Sequence, residues 1–276
     1  MAFKSIVLAI LYRDIALFRR WFSEYVVLWT LPLVFSIGAF FLPATLFEIE
    51  AVLNRFSDIV GTKLSLSDMI LYAITISAIM SMTILIVDET INTLYQERKL
   101  VGSLQIILEA TNLRNYLVCQ ALIRPIVLVI ASTMYLPVVL FLVSKIRGLT
   151  VFVYVFPSLM ISGIALSLYG LLIAIPITFY VEIDRPWIIA SLLMPALLAG
   201  SGIHIPIRLI PLAIRLIAYT SPLPYECEIL RIMLLRGPNS EIMLLATIIV
   251  MVLAVYMSIN TWFTIKTDRY SRRIGV

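Results

Sequence analysis

The chain has 276 residues, of which 62% are hydrophobic and 13% are charged, and its mean hydropathy is +1.04. These values lie far outside the range of water-soluble domains and predict an integral membrane protein. The net charge of +5 is explained by orientation in a membrane, so it requires no nucleic-acid partner.

The first 24 residues predict a helix that lies in the membrane interface. Phe3, Ile6, Ile10 and Trp21 share one broad helical face, and polar residues such as Arg13 occupy the other. Charges interrupt the short apolar run and no small-residue cleavage site follows it, so the segment does not resemble a signal peptide. A simple juxtamembrane anchor and a contact site for a partner both remain open.

Six segments between charged residues are long and apolar enough to cross a bilayer. A crossing of roughly 30 Å needs about 20 apolar residues, and an ionisable group inside it costs roughly 2.5–3.5 kcal/mol, so the charges mark the limits of the spans. The predicted spans are residues 25–47, 69–87, 125–144, 156–180, 186–203 and 242–265. The expected fold is an all-α integral membrane protein with six transmembrane helices.

An even number of spans places both termini on one side of the membrane. More of the 21 basic residues fall inside if the termini are cytoplasmic, so we expect that orientation in the cell membrane. Cys119 then lies near the inner face and Cys227 in the last outer loop, so we expect no internal disulfide between them.

A charged, amphipathic insert, residues 97–111, follows the second predicted span and is expected to be cytoplasmic. If it is helical, Leu100, Leu104 and Leu108 fall on one face. Three polar or charged side chains are then expected to remain available to a partner: Glu97, Arg98 and Gln105.

Residues 204–236, before the last span, are too apolar for a simple loop and are broken by prolines. They predict short re-entrant or interfacial helices on the outer side. Arg208 and Arg215 share a helical face, where they either belong to this outer structure or extend to lipid headgroups. Glu228 and Arg231, three residues apart, predict an ion pair.

Motifs for bond chemistry are absent from the sequence. The fragment closest to a P-loop, Gly61-Thr62-Lys63, lacks the preceding glycine, so we expect no ATP site and no cofactor in this chain. The single histidine, His204, follows Ser201 by three residues, a pair that could suggest a serine hydrolase. A flexible kink at a helix end accounts for this segment more simply. No span carries a carboxylate at its middle, which disfavours an ion-driven carrier.

The insert reads Glu97-Arg98-Lys99-x-x-Gly102-Ser103-Leu104-Gln105. This pattern resembles the Glu-Arg-x-x-Gly-Thr-Leu-Glu motif of the type-2 permeases of ABC transporters, the membrane halves of ATP-driven exporters. One extra residue precedes the glycine, a serine replaces the usual threonine, and a glutamine replaces the usual glutamate. The resemblance implies that the insert is the coupling helix, which docks on a separate ATPase subunit.

A second segment supports the same resemblance. Ser221-Pro222-Leu223-Pro224-Tyr225, followed by Glu228 and Arg231, is similar to the Asn-Pro-x-x-Tyr segment of these permeases, with serine in place of asparagine. Together with the six predicted spans, the cytoplasmic termini and the N-terminal interfacial helix, the similarity covers nearly the whole chain.

The resemblance implies a transport subunit without bond chemistry, in which a partner ATPase binds ATP and Mg²⁺. It also implies a second permease copy, as a homodimer or heterodimer, embedded in membrane lipids. The implied docking residues are Glu97, Arg98, Gly102, Ser103, Leu104 and Gln105. The implied outer-gate residues are Pro222, Tyr225, Glu228 and Arg231. Neither substrate nor the residues lining its path follow from the sequence.

Two alternatives from other classes remain. The first is a membrane-embedded enzyme acting on lipid or isoprenoid substrates, with a divalent cation held by Asp88, Glu89 and Glu97. Adjacent residues of a helix diverge by about 100°, which is poor geometry for Asp88 and Glu89 to share one metal. The second is an assembly or sensor protein that uses the same scaffold without transport.

Overall fold

The computed structural model describes residues 3–46, 50–51, 53–54, 57, 63, 65–181, 183–203, 207, 210–237 and 239–273. The described part of the chain is helical and contains no strand. Its principal helices are α1 Phe3–Arg20, α2 Phe22–Leu46, α3 Leu66–Tyr95, α4 Ser103–Ala110, α5 Leu113–Thr133, α6 Leu136–Pro176, α7 Pro186–Gly200, α8 Leu212–Tyr219, α9 Leu223–Arg236 and α10 Ser240–Arg273. Two π-helical turns, Gln96–Leu100 and Ile177–Val181, continue α3 and α6.

Four helical segments are long and apolar enough to cross a membrane: Leu66–Leu100, Leu113–Thr133, Leu136–Val181 and Ser240–Tyr270. The pair α1 and α2 gives a fifth candidate if it is one broken span, because the two helices meet at an angle of 74°. The all-helical fold expected from the sequence is therefore confirmed for the described residues, and the apolar helices are compatible with a multi-pass membrane protein.

Helix α3 is the centre of the bundle, and α2, α5, α6, α7 and α9 pack around it. It begins at a capping box in which Ser65 and Asp68 satisfy each other's backbone N–H groups. Its buried hydroxyl groups donate to carbonyl oxygens one turn earlier in the same helix, as Thr75 does to Leu71 and Thr83 to Ile79. Two of its serines also reach neighbouring segments: Ser81 donates to the Leu28 carbonyl of α2, and Ser77 shares a hydrogen bond with the hydroxyl of Tyr135, each at 2.8 Å.

Glycines allow α6 to approach its neighbours closely. A Cβ atom on Gly163 would lie 2.3 Å from Val129 of α5 and 3.2 Å from Ile86 of α3, and one on Gly170 would lie 3.0 Å from Thr90. Small residues at this spacing favour close helix packing in membranes.

The predicted third span, 125–144, does not correspond to one helix. Helix α5 ends at Thr133, a turn follows, and α6 begins at Leu136 and is itself interrupted by non-helical angles at Ser144 and Lys145. The sequence argument treated Arg124 as a boundary, but this arginine is buried within α5 because acidic side chains neutralise it.

The bundle has two ends, which we name by what they carry. At the insert end, residues 96–110 meet α1 and the end of α6. At the far end, the start of α3 meets the interruption of α6 and the region of α8 and α9. Both described chain ends approach the insert end: Arg13 of α1 contacts Glu97, and Tyr270 of α10 stacks on Tyr180 at 5.3 Å.

Candidate docking surface at the insert end

The insert folds into two pieces that meet at a glycine. The π-helical turn ends at Leu100, and Gly102 adopts a left-handed conformation with φ of 69° before α4 begins at Ser103. This conformation suits glycine because a Cβ atom makes it unfavourable. The prediction of one helix across residues 97–111 is therefore wrong.

The break changes which apolar side chains face outward. Leu100, Val101 and Ile106 are 67%, 72% and 71% exposed, whereas Leu104 is 1% exposed and anchors α4 on the bundle. The expectation that Leu100 and Leu104 share a face is wrong, since they belong to different helical segments. The side chain of Leu108 lies outside the described residues. We call Leu100, Val101 and Ile106 the apolar ridge.

Glu97 lies beneath this ridge and faces inward. Its carboxylate accepts hydrogen bonds from Arg13 of α1 and from the hydroxyl of Tyr116 of α5, both at 2.6 Å. Arg13 also donates to the Tyr116 oxygen at 3.2 Å. Only 7% of Glu97 is exposed, so the expectation that it stays available to a partner is wrong for this conformation.

Arg98 is also engaged within the chain. Its guanidinium donates to the carbonyl of Thr178 and lies 4.7 Å from the ring centroid of Phe179, in the π-helical turn that follows α6. The Nζ atom of Lys99 lies 3.9 Å from Oδ1 of Asp184. Arg98 therefore fastens the insert to α6, and among the predicted docking residues Gln105 is exposed while Ser103 is half-buried.

A second buried cluster joins the same three helices. Arg124 of α5 donates to Glu89 and Thr93 of α3, each at 2.5 Å, and its Nε atom lies 3.9 Å from Asp14 of α1. Asp14 in turn accepts from Arg13 at 3.1 Å. The insert, α1, α3 and α5 are thus connected by a continuous set of charged side chains.

The contacts of Glu89 and Glu97 are relevant to the enzyme alternative, in which these carboxylates would hold a divalent cation. Glu89 and Glu97 each bond to an arginine, the arrangement of a structural ion pair. Within the described residues, no three side chains of His, Cys, Asp or Glu converge as metal ligands. The alternative therefore gains no support from the geometry of this region.

The predicted outer-gate residues lie at the far end, close together on α9. Pro222 precedes the helix, and the ring of Tyr225 lies 6.1 Å from that of Tyr219. Glu228 and Arg231 form the predicted ion pair at 2.5 Å, which is confirmed. Arg231 also donates to the carbonyl of Gly202 at 3.1 Å, which joins α9 to the end of α7.

The sequence argument missed Glu226, which is on the same helix and completely buried. Its carboxylate accepts hydrogen bonds from Ser158 and Ser162 of α6. The signal available in the sequence was the pair of serines four residues apart, which places two hydroxyl groups on one helical face.

A comparison of the chain with protein-family models, with curated proteins and with solved structures returns no significant match.

Proposed function

We infer that the chain is the transmembrane subunit of an ABC exporter and that the apolar ridge is where a separate ATPase subunit docks. The observation that carries this inference is the ridge itself: Leu100, Val101 and Ile106 are exposed on a segment whose Glu97 and Arg98 bond to other parts of the chain. Exposed apolar side chains clustered beside a polar rim mark sites of protein association.

The support beneath the ridge suits a surface that transmits force. Glu97 ties the insert to α1 and α5, and Arg98 ties it to α6. A partner that moves the ridge therefore acts on several spans at once. The motif shared with the type-2 permeases falls on this segment, which favours an ATPase as the partner.

Helix α7 supports the expectation of six crossings. It has only 15 residues, about 22 Å of helix, but its flanking residues extend its reach. Tyr95 donates to the carbonyl of Asp184 before α7, and Tyr72 donates to that of Ile203 after it. Tyr72 and Tyr95 are separated by about 35 Å along α3, so the segment containing α7 traverses the bundle. An even number of crossings agrees with both chain ends approaching the insert end.

A second permease copy is supported by the outer faces of α7 and α8. Trp187, Leu192, Leu212 and Leu216 are exposed apolar residues on these helices. Pairing two copies along this face would cover these side chains and enclose a path for a lipophilic substrate.

Co-purification in a mild detergent tests the docking surface. We expect the tagged chain to retain a near-stoichiometric P-loop ATPase from its native membrane, and the double substitution Val101→Asp and Ile106→Asp to abolish this retention by placing charges in an apolar contact. The matched control is Ile146→Asp, which alters an equally exposed apolar residue of α6 near the far end.

Membrane insertion and the elution volume of the purified chain should be the same in all three proteins, because these side chains make few internal contacts. Retention of the ATPase by the double variant at the wild-type ratio would contradict docking through the ridge. Absence of any ATPase from the intact wild-type complex would contradict the transporter assignment itself.

A further inference from the structure

The carboxyl group of Glu226 is enclosed between α9 and α6. Ser158 and Ser162 each donate a hydrogen bond of 2.6 Å to its Oε2 atom, and its Oε1 atom bonds to no residue in the described part of the chain. Glu226 is 0% exposed, and so is Ser162, whereas Ser158 is half-buried and reaches the edge of the site. A carboxylate held only by hydroxyl groups lacks the counter-ion that buried charges normally have.

Two arginines on the surrounding helices form ion pairs with other acids. Arg231 of α9 bonds to Glu228, and Arg147 of α6 lies 2.6 Å from Asp68 of α3. The other titratable side chains of the packed helices at this end are phenols, a thiol and three charged groups: Tyr72 on α3, Lys145, Tyr154 and Tyr169 on α6, Arg215 and Tyr219 on α8, Tyr225 and Cys227 on α9, and Glu241 and Tyr256 on α10. No cation of the described residues pairs with Glu226.

Burial is the dominant influence on this group. It raises the pKa of Glu226 from an ordinary value of 4.5 to about 7, although the two serine hydrogen bonds oppose the change by stabilising the carboxylate. The raised pKa agrees with the geometry, because an Oε1 atom without a donor is better suited to carry a proton than a charge.

We propose that Glu226, Ser158 and Ser162 form a proton-binding site that holds α9 against α6 while the carboxyl group is neutral. Release of the proton to water leaves a carboxylate that requires hydration, and water reaches it when α9 separates from α6 along the side of Ser158. The site is a property of this helix packing and does not depend on the proposed transport function.

The sign of the effect on stability follows from the two pKa values. Between about pH 4.5 and about pH 7 the folded chain keeps a proton that the unfolded chain has lost. Stability is therefore highest below this interval, decreases as the pH rises through it, and becomes constant above it.

The first test compares melting temperatures of wild type and Glu226→Gln, purified in detergent, from about pH 5 to about pH 8. Glutamine keeps the shape of the neutral carboxyl group and cannot ionise. We expect the wild-type melting temperature to fall across this interval and that of the variant to fall much less, so that the variant is the more stable protein at high pH. Glu228→Gln, which changes a partly exposed carboxylate on the same helix, should keep the wild-type pH dependence.

The second test measures separation of α9 directly through the thiol of the next residue. Cys227 is free and buried, and burial raises the pKa of its thiol to about 12. N-ethylmaleimide should label Cys227 several-fold faster in wild type than in Glu226→Gln at about pH 8, and equally fast in both at about pH 5. Cys119, buried in α5 near the insert end, serves as the internal reference.

Parallel melting curves for wild type and Glu226→Gln, with equal Cys227 labelling at every pH, would overturn the proposal. If the glutamine variant does not fold, the double substitution Ser158→Ala and Ser162→Ala provides the decision. It removes both donors to the carboxylate, so the pH at which stability is lost should move upward, and an unchanged midpoint would overturn the proposal as well.

Discussion

Glu97 at the insert end and Glu226 at the far end face the same physical problem, because both carboxyl groups are buried in an apolar bundle. Glu97 is paired with Arg13 and also accepts from Tyr116, whereas Glu226 accepts, among the described residues, from two serines alone. A buried charge can be retained by a counter-ion or removed by protonation. The two ends of this molecule use different solutions.

This difference makes the stability of the two ends respond differently to pH. Paired charges fix the insert, α1 and α5 in one arrangement, because separating any pair leaves an uncompensated charge. The far end is held by a group whose charge changes near neutral pH. We therefore expect substitutions of the paired charges at the insert end to destabilise wherever the carboxylates are ionised, and substitution of Glu226 to stabilise at high pH.

The largest expected effect is that of Arg124→Met, which removes the cation facing both Glu89 and Asp14. Loss of one partner from a buried ion pair costs about 3–5 kcal/mol; because 40% of the Glu89 side chain is exposed, we expect a decrease near the lower limit, about 3 kcal/mol, in the free energy of unfolding measured in detergent. The control is Arg114→Met, an exposed arginine of the same helix, which should change stability by less than about 0.5 kcal/mol.

Adding Asp14→Asn and Glu89→Gln to Arg124→Met should recover part of the lost stability, because the carboxylates left without a cation are removed. A single variant as stable as wild type would show that Arg124 is not the counter-ion at this end.

Glu97→Gln should have a smaller effect, with the opposite sign to Glu226→Gln. Replacing the carboxylate weakens hydrogen bonds that involve a charged partner, so we expect stability to decrease by about 1.5–3 kcal/mol. At about pH 8, Glu226→Gln should instead raise the melting temperature. Glu24→Gln, at an exposed acid near the start of α2, is the control. Effects of equal sign at Glu97 and Glu226 would refute the contrast between the two ends.

The smallest expected effect concerns the contact that both ends share, between α6 and its neighbours α3 and α5. Gly163→Ala places a methyl group 2.3 Å from Val129 and should cost about 1–3 kcal/mol through overpacking. Gly38→Ala is the matched control, since no described atom beyond its own helical turn lies within 4 Å of its Cβ position and alanine favours the helix. It should leave stability unchanged or raise it slightly. Equal effects of the two substitutions would show that α6 does not depend on close approach at Gly163.

The multi-pass helical character was predictable because apolar composition and charge-free length depend on local sequence. The limits of the helices were less predictable. Arg124 and Glu89 look like boundaries in the sequence, yet both lie within helices, because residues far apart along the chain neutralise each other. Tertiary pairing of this kind has no local pattern, so the third predicted span was misplaced.

The candidate site shows the same division. The glycine of the insert was visible in the sequence, but its left-handed conformation, which separates Leu100 from Leu104, was not anticipated. The spacing of Glu228 and Arg231 correctly predicted their ion pair. Glu226 was missed because its partners are on another helix, and no spacing rule connects a carboxylate on α9 with serines on α6.

The two π-helical turns lie side by side at the insert end, where Arg98 of the first donates to the Thr178 carbonyl of the second and lies over Phe179. Wide turns of this kind interrupt the regular hydrogen-bond ladder and form points where a helix can bend. The ends of α3 and α6 are thus two hinges joined by one guanidinium group. A displacement of the insert would therefore bend the ends of both helices together.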